Sequence, residues 1–113
     1  MRIDLDFGGF FLPADLFDTP LAAAFAAGLP YTVPLTQWGG ELYGPIGTKL
    51  AENELVADIP AGGLAYTGRG NLFCVFFGQT PAWPVEYIGQ IPDEQWPRLL
   101  EAGSLEHVII TAA

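Results

Sequence analysis

The chain has 113 residues, a length that suits one domain, and half of them are apolar against 15% charged, which permits a real core and argues against global disorder. Four Lys plus Arg face thirteen Asp plus Glu, a formal charge of −9, so phosphate backbones and anionic membrane surfaces are repelled and neither nucleic acid nor a membrane is an expected partner. The single cysteine, Cys74, leaves no internal disulfide to form.

The elements read in chain order as follows. Ile3, Leu5 and Phe7 alternate with Arg2, Asp4 and Asp6, the period of a half-buried strand with its acids in water. Asp4 and Asp6 also deny this start the apolar core of a secretion signal, and a cytoplasmic location is the expectation. No apolar segment approaches the ~20 residues of a membrane helix. Gly8-Gly9 allows a turn, and Phe10–Leu16 returns as a second strand weakened by Pro13. Asp18-Thr19-Pro20 signals a helix start: Thr19 can cap free N–H groups, and Pro20 suits the first helical position. The alanine-rich run that follows favours helix, with Leu21 and Phe25 on one face, Gly28 as a left-handed stop and Pro30 beyond it.

Tyr31–Trp38 reads as one strand, an edge or a bulged one because Pro34 lacks an N–H. Gly39-Gly40 turns the chain into a strand over Glu41–Ile46, and Lys49–Asp58 is a polar loop or an irregular strand with three acids. Leu64–Thr67 and Leu72–Phe77 form a hairpin through Gly68-Arg69-Gly70-Asn71. Leu72–Phe77 is apolar at six consecutive positions, too short for a membrane span, and predicts a strand buried on both faces. Val85–Ile91 is a strand. Pro97 starts a short helix with Leu99 and Leu100 inward and Gly103 as the stop, and Leu105–Thr111 is the closing strand. About eight strands and two short helices predict an all-β chain, a closed antiparallel barrel over residues 1–113, because closure removes exposed edges.

Several short motifs then occur in one order: Trp38-Gly39-Gly40-Glu41-Leu42-Tyr43, the acidic Glu52-Asn53-Glu54, Ile59-Pro60-Ala61-Gly62-Gly63-Leu64-Ala65-Tyr66, Phe73-Cys74-Val75-Phe76-Phe77-Gly78-Gln79-Thr80-Pro81 and Tyr87-Ile88-Gly89-Gln90-Ile91. This order resembles the small prokaryotic cyclophilin-like proteins, densely from Trp38 to Pro81 and more weakly at both ends. The chain departs from that family in the short stretch after Pro81. The resemblance implies a cyclophilin-like β-barrel of eight strands with a helix plugging an end, and it implies no settled reaction; no cofactor is expected.

The residues offer little to catalysis. Cyclophilins proper turn peptidyl-prolyl bonds with an arginine over an apolar aromatic pocket, lowering a barrier of roughly 18–20 kcal/mol. Here Arg69 falls in a glycine-flanked turn, Arg2 on a solvent face and Arg98 on a short helix, and the Phe-His-Arg context of those enzymes is absent. Ser104, the only serine, has no nucleophile elbow. Cys74 reads as a packed thiol and His107 as a structural histidine. Glu52, Glu54 and Asp58 lack the spacing of a calcium loop, so no metal site is expected.

The aromatics remain. Trp38, Tyr43 and Tyr66 carry polar handles, and a partly open pocket at the barrel mouth is expected from them, with Glu41 at its rim and Asn53 nearby to orient a ligand. The leading expectation is non-catalytic binding of a small molecule or short peptide through Trp38, Glu41, Tyr43, Asn53 and Tyr66. Peptidyl-prolyl isomerase is the alternative. A homodimer or assembly role, with Trp83 in the Ala82-Trp83-Pro84 loop as anchor, is the third.

Overall fold

Alternation along the first strand builds one wall of the fold. The computed structural model describes residues 1–113 and contains β1 (Arg2–Asp6), β2 (Phe11–Leu16), α1 (Pro20–Ala27), β3 (Tyr31–Pro34), β4 (Thr36–Trp38), β5 (Glu41–Pro45), β6 (Gly63–Thr67), β7 (Leu72–Phe76), β8 (Glu86–Gln90), α2 (Arg98–Glu101) and β9 (His107–Ala112). The nine strands form a single antiparallel sheet in the order β3-β9-β1-β2-β8-β6-β7-β5-β4. Ile3 and Leu5 of β1 are fully buried, while Arg2 and Asp6 are exposed. Pro13 faces Asp4 across the β1 pair, at a point where β2 has no partner on its β8 side; that strand is joined only at Asp15 and Leu16. A proline is tolerated there because no ladder bond is lost.

The count is nine rather than eight because Tyr31–Trp38 is divided. Its first half pairs with β9 and its second with β5, the two opposite ends of the sheet, with Leu35 between them. The Leu35 N–H donates to Glu106 O at 2.9 Å. This short crossing curls the sheet into a nearly closed barrel, and at the seam Gly44 of β5 lies so close to Pro34 that a Cβ there would overlap the Pro34 carbonyl.

The barrel interior is filled. Leu42, Leu64, Tyr66, Phe73, Val75, Ile88, Val108 and Ile110 belong to one buried cluster that also takes Leu21, Ala22 and Phe25 from α1. Phe25 stacks on Phe73 with ring centroids 5.6 Å apart. Truncating either ring would cost about 3–5 kcal/mol, the usual figure for emptying such a site. Thr19 caps α1 as expected, its Oγ1 accepting from Ala22 N at 3.3 Å, with Pro20 in the first turn. The stop differs. Gly28 has φ −93°, right-handed rather than left-handed, and the Tyr31 hydroxyl donates to Phe25 O at 2.7 Å instead. A Cβ at position 28 would overlap that hydroxyl, so any other residue there must displace the Tyr31 cap. α2 is a single turn, so only Leu99 packs inward; Leu100 is 62% exposed on the other side. No helix is long and apolar enough to cross a membrane.

The six-residue apolar run is buried on both faces, for two separate reasons. Phe73, Val75 and Phe77 enter the barrel interior. Cys74 and Phe76 point outward into a second, smaller core with Ile59, Ala65 and Val85, against which Tyr43, Leu72, Trp83 and Tyr87 pack. The chain between β5 and β6 and the loop before β8 cover this outer face and meet at a Val56–Val85 bridge.

Candidate ligand cleft on the outer face of the barrel

Strand register places the candidate residues in two rows. One runs Trp38, Glu41, Phe76 and Gly63 across β4, β5, β7 and β6; the other runs Thr36, Tyr43, Cys74 and Ala65. Paired residues on neighbouring strands point to the same side of a sheet, so the large rings of Trp38, Tyr43 and Phe76 stand around the small Cys74. Thr67 at the end of β6 and Pro81, Ala82, Trp83 and Val85 from the loop complete a cleft of about 330 Å³. That volume is at the lower end of ordinary ligand pockets, roughly 300–1,000 Å³.

The loop wall is held by a short network. Trp83 Nε1 donates to Thr67 Oγ1 at 2.9 Å, and the same oxygen accepts from Arg69 N at 3.2 Å. The Arg69 guanidinium lies 4.8 Å from the Trp83 ring centroid, a cation–π stack on that wall. At the other end of the loop Gln79 Oε1 accepts from Gly40 N at 2.8 Å, tying the loop to the β4–β5 turn. Gly40 approaches Gly78 so closely that a Cβ would overlap its backbone.

Glu41 is 7% exposed and lines the cleft. Burial raises its carboxyl above the usual carboxylate range, and a hydrogen bond with the Cys74 thiol opposes part of that rise. The thiol is itself pushed far up, first by burial and then by the charge of Glu41 and the bond to it. No cationic side chain pairs with Glu41; the one ion pair within 4.0 Å in the protein joins Arg2 to Asp15 on the exposed surface. Of the three arginines only Arg69 touches a residue of the cleft, since Arg98 covers Phe10 and donates to Phe11 O. No three His, Cys, Asp or Glu side chains converge as a metal ion would need.

Of the five residues expected from sequence to form a site, the fold brings Trp38, Glu41 and Tyr43 together and places the other two elsewhere. Tyr66 lies wholly inside the barrel, because its position on β6 is one step out of phase with Ala65 and Thr67; its hydroxyl accepts from Leu50 N at 3.0 Å and donates to Asn71 Oδ1 at 2.7 Å. Asn53 offers its backbone rather than its side chain. Its N–H and that of Glu54 donate to Glu86 Oε1 at 2.7 and 3.0 Å, which pins the acidic loop to a buried carboxylate. With the interior filled, the cleft is on the outer wall and not at a barrel mouth. His107 is exposed beside Gly8, away from it. Sequence reasoning left out Thr67, Cys74 and Trp83. Alternation along Leu72–Phe77 was the available signal for Cys74, but nothing local shows that Trp83 folds back on that face.

A family model described as cyclophilin-like matches residues 1–111. The chain belongs to the cyclophilin-like family. Among solved structures, this cyclophilin-like protein is similar to a hypothetical protein from Archaeoglobus fulgidus, 25% identical, with a TM-score of 0.77 over 100% of this chain and 95% of that one. It also shares its fold with McbB, solved in complex with tryptophan, at 18% identity and a TM-score of 0.79, covering 97% of this chain and 44% of that one. Comparison with curated proteins finds no match.

Proposed function

We propose that this cyclophilin-like protein binds a small organic molecule in the outer cleft, held between the rings of Trp38, Tyr43 and Trp83 and oriented by Glu41. The observation that carries the reading is a buried carboxyl facing a ring-lined cleft of about 330 Å³ with no protein cation to neutralise it. Ligand sites of this kind combine apolar walls with a few placed polar groups. McbB, whose structure holds tryptophan, is a precedent for a small aromatic molecule on a chain that contains this fold, at the level of that whole protein.

The test is an NMR titration of the labelled protein with small aromatic compounds and, separately, with Xaa-Pro peptides. The proposal expects shifts at the indole N–H groups of Trp38 and Trp83 and at the backbone of Glu41 with the small compounds. Trp38 is 52% exposed, so Trp38→Ala should leave the fold intact while weakening binding at least about tenfold. Unchanged affinity in that variant would remove this site assignment. Faster cis–trans exchange of the peptides would instead favour prolyl isomerisation.

A further inference from the structure

We propose that the occupant of this cleft is a small organic cation, an aromatic or alkylated amine whose ammonium group seats against Glu41 among the rings; this rests on the reading of the cleft as a ligand site. Three independent features of the cleft converge on positive charge.

The first is Glu41 itself. Glu41 as a residue is only 7% exposed, and a carboxyl so placed is normally paired. Here its polar neighbour is the Cys74 thiol, a weak donor, and no Lys, Arg or His reaches it. A neutral ligand leaves that deficit in place. A cationic one removes it, because the ionised carboxylate then gains a partner in surroundings that screen charge poorly. An anionic ligand would add a second negative charge to the same site.

The second is the wall chemistry. Aromatic faces attract cations through their quadrupole, and cages of rings are how proteins hold alkylated ammonium groups. Trp38 stands across the strand pair from Glu41, and Phe76 stands on its other side. Trp83 already stacks with one cation, Arg69, which uses that ring from the hairpin turn. The third is the field. A formal charge of −9 concentrates small cations near the surface and repels anions of the same size.

The ligand class also predicts a pH dependence. The groups facing Glu41 are Cys74 from β7 and Tyr43 from its own strand, with Arg69 beyond Trp83. The raised thiol stays neutral in the acid range, so Glu41 is the group against the ligand whose charge changes there. Cation binding should weaken as pH falls through the range in which Glu41 takes up its proton, and at those pH values binding should release protons.

The experiment uses three probes with one ring and three charges: phenethylamine, 2-phenylethanol and phenylacetate. Each is titrated by NMR into the wild-type protein, Glu41→Gln and Trp38→Ala. The expected result is that the amine binds about tenfold or more tighter than the alcohol, and phenylacetate weakest. In Glu41→Gln the preference for amine over alcohol should collapse while the alcohol's affinity holds or improves. Should that variant not fold, Trp38→Ala carries the test, since it should weaken the amine more than the alcohol. Equal binding of amine and alcohol at the indole signals of Trp38 and Trp83 would overturn the cation proposal and leave the cleft as a ligand site. A preference for phenylacetate would also overturn it. No shift at those signals with any probe at millimolar concentration would overturn both readings.

Discussion

Trp83 Nε1 and Thr67 Oγ1, sixteen residues apart, are joined by a 2.9 Å hydrogen bond that fixes one wall of the cleft. The indole comes from an irregular loop, and the hydroxyl from the last position of β6. Thr67→Val keeps the shape and removes the acceptor from both Trp83 and the Arg69 N–H. It should cost about 1–2 kcal/mol in urea unfolding. Trp83 should also become more mobile, seen as broadening of its indole signal, with weaker ligand binding. A sharp indole signal and unchanged stability would show that packing alone holds the wall.

Gly44 marks the seam of the barrel. Its missing Cβ is the space occupied by the Pro34 carbonyl, which is backbone and cannot rotate away, with Val33 Cγ1 beside it. Gly44→Ala should therefore force the two sheet ends apart and destabilise the fold by about 2–3 kcal/mol. Chemical denaturation measures it. A cost near zero would mean that the seam yields freely.

Glu41 makes stability depend on pH in a direction opposite to that of most acids. Its carboxyl holds a proton more tightly folded than unfolded, because burial raises its pKa. That contribution is complete below the ordinary carboxylate pKa and is lost as pH rises through the raised folded value. Above that value the empty protein carries a costly buried charge. Glu41→Gln should raise the Tm by a few degrees at pH 7 and change it little at about pH 4. A lower Tm at pH 7 would show that the carboxylate has a stabilising partner.

Cys74 should be inert despite lining the cleft. It is buried, and its thiol is shifted away from the thiolate by burial and by Glu41. Alkylation by iodoacetamide at pH 8 should run at least about 100-fold slower than for a free thiol and become fast only in denaturant. Rapid modification of the native protein would mean that the cleft opens.

Much of the fold was legible because its signals are local. The alternation of Ile3, Leu5 and Phe7, the Thr19-Pro20 helix start and the glycine-rich Gly68–Asn71 turn each act over a few residues, and each is found where it was read. The count of short strands pointed to a closed barrel, and the resemblance to cyclophilin-like proteins agreed with it. Tyr31–Trp38 reads as one strand because nothing local announces that its halves serve opposite edges. Gly28 looked like a left-handed stop, and only the fold reveals Tyr31 supplying the cap.

The site divides in the same way. Local sequence determined that Trp38, Glu41 and Tyr43 sit around one tight turn, since a two-strand hairpin sets its own register. Tertiary structure alone decided which face that register presents, that the barrel interior is filled by Tyr66 and Phe73, and that Trp83 returns across β6 to wall the outer side. These are long-range placements, settled by the closure of the whole sheet, and no stretch of a few residues contains the contacts that make them.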